Sequence, residues 1–92
     1  MKWIEFIKVQ TPGNQNQFLN QEMLKITCSL ANKVGLIDVC FSHHSSLLGD
    51  FALFLFWESD YKDASGSRTG LNVKRVLNKY GLVNHSVWLI NV

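Results

Sequence analysis

Residues 51–57, Phe-Ala-Leu-Phe-Leu-Phe-Trp, form an unbroken apolar run of the length typical of a β-strand. Because neighbouring side chains of a strand point to opposite faces, such a strand has to be covered on both faces. The sequence of 92 residues predicts only two helices, and we expect both to pack on the same side of the sheet. We therefore expect a second subunit, a ligand or both to cover the opposite face.

Three other segments predict strands. Residues 3–9 are rich in aromatic and β-branched types, and residues 82–92 supply the last strand. Residues 36–44 alternate between apolar and polar types. We expect their apolar set to face the helices, and their polar set to lie beside the apolar run on the open face, as in a ligand pocket. The apolar set is Ile37, Val39 and Phe41, and the polar set is Asp38, Cys40, Ser42 and His44.

Two segments carry the spacing of three and four residues that is typical of amphipathic helices. The first helix is expected from about Gln15 to Lys33, with Gly35 ending it. Ser67 can cap the second helix, which Gly81 ends. The apolar positions are Leu19, Met23, Ile26, Leu30 and Val34 in the first helix, and Val73, Val76, Leu77 and Tyr80 in the second.

The resulting element order, βαββαβ, is that of the ferredoxin-like fold. Right-handed crossovers arrange its four strands antiparallel in the order 4-1-3-2 and place both helices on one face of the sheet. The sequence therefore predicts an α+β protein that consists of a single domain, residues 1–92. The apolar third strand takes a central position in this sheet.

Composition narrows the class of partner. The net charge is only +2 and the Lys and Arg residues are scattered, so we expect no nucleic acid partner. No run approaches the ~18 apolar residues of a membrane span, and Glu5 interrupts the apolar stretch near the start, so we expect a cytoplasmic protein that binds no membrane. Cys28 and Cys40 lack the spacing of a zinc or redox pair, so we expect two buried, reduced thiols and no metal.

Three segments together resemble a known superfamily. They are the strand 54–59 (Phe-Leu-Phe-Trp-Glu-Ser), the loop into 67–70 (Ser-Arg-Thr-Gly) and the closing segment 81–88 (Gly-Leu-Val-Asn-His-Ser-Val-Trp). With the βαββαβ plan, they resemble the dimeric α+β barrel superfamily, and within it the antibiotic-biosynthesis monooxygenase-like domains. The strand that ends in Trp57 and leads into a short acidic loop is the most specific part of the resemblance.

The resemblance implies a homodimer that pairs through the open sheet face, and a pocket between sheet and helices for a small, apolar or aromatic molecule. Some members oxidise quinol-like or anthrone-like substrates with dioxygen and no cofactor, and a carboxylate or imidazole would then take the substrate's phenolic proton. Trp57 and Tyr61 match the family's aromatic pocket positions. Haem-degrading members carry an Asn on the first strand and a His on the second helix, and this chain has neither. We therefore expect no cofactor.

The histidines offer a further candidate site. His43 and His44 end the second strand and His85 begins the fourth, which places all three at one end of the sheet. A metal site made of all three is geometrically poor, because the two strands are opposite edges roughly 14 Å apart. The alternatives are histidines that lie on the surface or cap loops, and a single His44 or His85 that serves as a pocket base.

Charged residues in unusual places supply the remaining candidates. Arg68 lies in the first turn of the second helix, where a positive charge is unfavourable for the helix dipole. A bound anion, a partner carboxylate or simple exposure of the side chain explains this position. Glu5 and Asp38 each interrupt an apolar strand. If both face the open side they are candidates for a general base, and otherwise they occupy edge positions or form salt bridges between subunits.

Two functions fit these observations. The first is a dimeric α+β barrel that binds a small molecule, with cofactor-independent monooxygenase activity on an aromatic or quinol-like substrate. The second is a domain without catalytic activity that binds a ligand or serves in assembly. No catalytic residue is assigned from the sequence. The candidate ligand-binding residues are Trp57, Tyr61, His44, Asp38, Arg68 and His85.

Overall fold

A computed structural model describes residues 1–12, 16–60 and 65–90, which form one antiparallel sheet and two helices. The strands lie in the order β2-β3-β1-β4, which is the predicted order read from the other edge, so the ferredoxin-like α+β fold is confirmed. In the described residues, neither helix has the length and apolar character needed to span a membrane. The elements are β1 (Lys2–Gln10), α1 (Asn16–Ser29), β2 (Leu36–His43), β3 (Asp50–Glu58), α2 (Arg68–Leu77) and β4 (Leu82–Leu89).

The central strand β3 divides the molecule into a packed side and an open side. Leu53 and Leu55 are completely buried, and they pack with apolar residues of both helices in a single core. The alternate residues Phe54 and Phe56 are only half-buried, because they lie on the sheet face that the helices do not cover. We call this second surface the open face.

The edge strand β2 departs from simple alternation. Leu36 lies opposite Trp57 and Asp38 lies opposite Phe56, so one extra residue is inserted between them as a β-bulge. That residue is Ile37, which is 55% exposed. The expectation that Ile37 faces the helices is therefore wrong, because a bulge changes the face of every position before it.

After the bulge, the residues of β2 face the sides of the sheet that their alternation predicts. Val39 and Phe41 pair with Leu55 and Leu53 and pack against the core. Cys40 pairs with Phe54 and lies on the open face, where it is exposed. The other cysteine, Cys28 of α1, is also free and exposed, so the expectation of two buried thiols is wrong.

Helix α1 is shorter than its apolar spacing predicts. It ends at Ser29, and the hydroxyls of Thr27 and Ser29 donate hydrogen bonds to main-chain carbonyls of the preceding turn, at 2.8 and 2.7 Å. Leu30 is still buried, but Val34 is 98% exposed, so its predicted place in the apolar stripe is wrong. Gly35 follows with a positive φ of 85° and turns the chain into β2.

The packing of β3 makes a direct prediction for stability. Leu55→Ala leaves a cavity at a site with no exposed surface, so it is expected to lower the free energy of unfolding by about 2–5 kcal/mol. Leu48→Ala is the matched control, because Leu48 is 82% exposed, and its effect is expected to stay below about 0.5 kcal/mol. Urea denaturation followed by circular dichroism measures both, and equal losses would contradict the assignment of the core.

Candidate functional site

A cleft of about 700 Å³ lies where one end of the sheet meets the start of α2. Strands β1 and β3 contribute Trp3 and Trp57 to its wall, and Ser67 and Arg68 border it at the start of the helix. The cleft is on the helix side of the sheet, since both tryptophans belong to the buried core.

The two tryptophans form a stacked pair across neighbouring strands. Trp3 and Trp57 are direct partners in the register of β1 and β3, and their ring centroids lie 5.4 Å apart with planes inclined by 16°. The indole N–H of Trp3 donates a hydrogen bond to Ser59 Oγ at 2.9 Å. The buried indole N–H of Trp57 has no partner among the described residues. Since buried N–H groups are nearly always paired, this donor lacks the partner that such a group ordinarily has in the described part of the chain.

Behind Ser67 lies a buried cluster of three polar side chains. Glu5 Oε2 is 2.7 Å from His85 Nε2, and the side chains of Glu5 and His85 are 0% and 4% exposed. The main-chain N–H of Ser67 donates to Glu5 Oε2 at 3.1 Å, and the Ser67 hydroxyl donates to Glu5 Oε1. We call these residues the Glu5–His85–Ser67 cluster.

The start of α2 is built around this cluster. Ser67 is the N-cap, as predicted, and its Oγ accepts a hydrogen bond from Gly70 N–H at 2.8 Å. The Glu5 carboxylate lies at the same helix end, where the exposed N–H groups favour a negative charge. A Cβ atom at Gly70 would fall on the Glu5 carboxylate, and one at Gly66 would fall on the His85 ring. Both glycines are required because the cluster fills the space of a side chain.

The structure brings some of the predicted site residues together. Trp57 and Arg68 both line the cleft. His85 belongs to the cluster behind it, and it lies within β4 as the fourth residue of that strand, opposite Ile7, with its side chain in the core. The expectation that His85 shares one end of the sheet with His43 and His44 is therefore wrong. Tyr61 lies outside the described residues.

The other two predicted residues lie away from the cleft. Asp38 is exposed beside the bulge of β2, and its carboxylate accepts a hydrogen bond from the N–H of Val39 at 2.8 Å. His44 follows β2 at the far end, where its Nδ1 accepts from the N–H groups of Ser46 and Leu47 at 3.1 and 3.0 Å. His44 thus caps the turn into β3, which was one of the alternatives for the histidines.

Sequence reasoning did not find the role of Glu5. It was considered as a base on the open face, whereas the structure places it on the helix side, level with Trp3 and Ile7. A signal was present, since Trp3, Glu5, Ile7 and Val9 alternate along β1. The signal was weak because Ile4 and Phe6 make the opposite face equally apolar. In the described residues, no group of three His, Cys, Asp or Glu side chains is placed to hold a metal ion.

Comparisons with known proteins show the fold. No protein-family model and no curated protein matches the chain. The solved structure of Rv0793 from Mycobacterium tuberculosis is 13% identical, with a TM-score of 0.75 over 100% of this chain and 97% of that one. A mutant of SnoaB, a cofactor-independent oxygenase from Streptomyces nogalater, is 10% identical, with a TM-score of 0.74 over 99% and 94% of the two chains. These likenesses agree with the predicted ferredoxin-like α+β fold.

The close contacts of Gly70 predict that Gly70→Ala destabilises the protein, although Gly→Ala usually stabilises a helix. Gly→Ala within a helix ordinarily stabilises by about 0.5–1 kcal/mol. Gly70→Ala is expected instead to lower the free energy of unfolding by about 1–3 kcal/mol, because the methyl group meets the Glu5 carboxylate. In a Glu5→Ala background, the same substitution should cost much less, which a double-mutant cycle of urea denaturation curves measures. A stabilising Gly70→Ala in the otherwise unchanged protein would contradict this close packing.

Proposed function

We propose that the protein binds a small, planar aromatic molecule in the cleft at the start of α2 and oxidises it with dioxygen, without a cofactor. The observation that carries the proposal is the stacked pair Trp3–Trp57 at the cleft wall, where the Trp57 indole N–H has no partner among the described residues. The predicted site residues Trp57 and Arg68 belong to this cleft.

The chemistry of the cleft favours a particular class of ligand. Its volume of about 700 Å³ suits a small molecule of several rings. Two aromatic side chains provide an apolar wall, while the Trp57 N–H and the Arg68 guanidinium can donate hydrogen bonds. These donors favour a ligand that carries oxygen atoms as acceptors. An aromatic ketone or phenol meets both requirements.

The proposed reaction needs only dioxygen as a co-reactant. An anthrone-type substrate loses a proton, and the resulting anion gives electrons to dioxygen. Overall, the substrate CH₂ and one O₂ yield a C=O group and one water, so both oxygen atoms are accounted for. The full-length structural likeness to a protein whose name describes a cofactor-independent oxygenase supports this reaction class, although the likeness itself concerns the fold.

A homodimer through the open face is the second part of the proposal. An apolar groove of about 350 Å³ runs along this face between Phe6, Phe54 and their neighbours, and Trp88 beside it is 62% exposed. Charged residues lie near both ends, with the partners Lys2 and Glu58 at one end and the ion pair of Lys8 with Asp50 at the other. An apolar centre with a polar rim is typical of a protein interface. Since each end carries both signs, a second copy can meet it with complementary charges.

The alternative is a binding or assembly domain without catalytic activity. The same open face supports it, because an interface alone explains the exposed aromatic residues. The two functions differ in whether dioxygen is consumed, since a ligand cleft is compatible with both.

Trp57→Phe tests the binding site. The variant keeps an aromatic ring but removes the unpartnered N–H, so the affinity for dithranol, an anthrone, is expected to fall about tenfold, the value of one hydrogen bond. Tryptophan fluorescence quenching under argon measures the binding, and an oxygen electrode measures turnover in air.

Trp3→Phe provides the comparison, because the N–H it removes already has Ser59 as its partner. Its effect on affinity is expected to be clearly smaller than that of Trp57→Phe. Equal affinities of all three proteins for dithranol would contradict the proposed role of Trp57. Binding without any oxygen uptake would remove the oxygenase and leave the binding domain.

The dimer makes a prediction for the two thiols. Cys40 lies on the open face and Cys28 on α1, and both are exposed in the single chain. In a dimer through the open face, Cys40 should react with a thiol reagent at least about tenfold more slowly than Cys28. Phe54→Lys should restore the reactivity of Cys40, because it introduces a charge into the apolar centre of the interface.

Single-thiol variants, Cys28→Ser and Cys40→Ser, separate the two rates, and sedimentation equilibrium gives the mass of the same samples. A protein with the mass of one chain, or a dimer in which Cys40 reacts as fast as Cys28, would exclude this interface.

A further inference from the structure

We propose that the Glu5–His85–Ser67 cluster is the proton-accepting unit of the cleft, with the Ser67 hydroxyl as the relay between a bound ligand and the buried Glu5–His85 pair. The inference rests on the proposed function of the cleft and adds the groups that take the substrate's proton. It assigns a chemical role to a carboxylate and an imidazole that are buried in a mostly apolar core.

Ser67 is placed to connect the cleft with the cluster. It lines the cleft, while its Oγ–H donates to Glu5 Oε1 and its Oγ accepts from Gly70 N–H. A hydroxyl oxygen has two lone pairs, so one remains for a ligand donor. A phenol or enol O–H that binds there lies one oxygen atom away from a carboxylate.

The Glu5–His85 pair can hold the proton. The 2.7 Å contact between Glu5 Oε2 and His85 Nε2 needs at least one proton, and with only one the pair carries a net charge of −1 in the core. Uptake of a second proton leaves the pair with no net charge. The Ser67 N–H and the start of α2 stabilise the carboxylate before uptake, and the imidazole offers a site for the added proton.

Other ionisable groups border the cleft, but their surroundings differ. Glu58 and Asp60 line it and are exposed, so water competes for any proton that they accept. Arg68, also exposed, is a cation that favours a ligand anion once the proton has left. Among the described carboxylates that line the cleft or lie behind it, Glu5 alone is buried with an imidazole partner.

The proposed step is a balanced proton transfer. The ligand O–H bond breaks and its electron pair stays on the ligand, which becomes an anion. The proton binds Ser67 Oγ while the serine's own proton moves to Glu5, and His85 shares it through the Nε2 contact. The step requires no oxidant and therefore takes place in the absence of dioxygen.

A purely structural role for the cluster, in which Ser67 and Glu5 only cap α2, predicts different behaviour. Capping needs the hydrogen bonds, but it does not change the ionisation of a ligand in the cleft. The ionisation state of a bound ligand is therefore the measurement that separates the two roles. Dithranol is a suitable probe, because ionisation of its conjugated ring system changes its absorption spectrum.

The experiment uses the full chain and dithranol under argon, so that no oxidation takes place. Tryptophan fluorescence gives the affinity and visible absorbance gives the anionic fraction of the bound probe between pH 5 and 8. For the unchanged protein we expect half-ionisation at a pH about one unit or more below that of free dithranol, a tenfold change in the ionisation constant. Glu5→Gln should bind within about threefold but lose this shift. Ser67→Ala should also lose the shift, and it should bind about tenfold more weakly because the ligand loses its hydrogen bond to Ser67 Oγ.

Two further variants complete the test. Ser67→Thr keeps the hydroxyl and should retain the shift. The comparison of Ser67→Ala with Ser67→Thr therefore tests the relay even if Glu5→Gln does not fold. Asp50→Asn removes a different buried carboxylate, at the other end of β3, and should also retain it.

The inference is overturned if Ser67→Ala binds dithranol and keeps the shift, or if Asp50→Asn loses it. A protein that does not bind dithranol at all contradicts the proposed cleft and the relay together. Binding with an unshifted ionisation contradicts the relay alone.

Discussion

The apolar character of β3 on both faces is the constraint on which the rest of the structure depends. The chain has two helices for a four-stranded sheet, and they cover the face that carries Leu53 and Leu55. The face with Phe54 and Phe56 stays half-exposed in the single chain. Burial of apolar surface contributes roughly 25 cal/mol per Å², so the uncovered face represents an unused source of stability. The arrangement therefore favours association, and it leaves the helix side free to form a separate site.

On the helix side, the cleft lies next to the one part of the described core that contains the polar side chains of Glu5 and His85. Most of that side is filled with apolar residues, but Glu5 replaces one of them at the point where α2 begins. A buried carboxylate is costly unless it is fully hydrogen-bonded, and here the N-cap residue and His85 provide its partners. The same helix start borders the cleft with Ser67 and Arg68. The residues at the start of α2 thus cap the helix, hydrogen-bond the buried Glu5 carboxylate and border the cleft.

The sequence was sufficient to predict the element order, the strand order and the central place of β3, because these follow from hydrophobic periodicity and chain topology. It also predicted Ser67 as a cap and Trp57 as part of a cleft. The sequence did not predict the β-bulge, the end of α1 or the face of Glu5, because at each of these places two local conformations have similar free energies. The bulge at Ile37 exposes an apolar side chain, and the end of α1 at Ser29 depends on hydroxyl groups that bond to the preceding turn. The face of Glu5 could not be decided, because β1 is apolar on both faces and only the partner His85 makes one choice favourable.

The pairing of Glu5 with His85 joins residues that are 80 positions apart in the chain. During translation, the first strand leaves the ribosome long before the strand that carries its partner. Until then, a core that closed over β1 would hold a carboxylate without its imidazole partner, which is costly. The final packing of β1 therefore has to wait until β4 has been synthesised, so this part of the core closes late in folding.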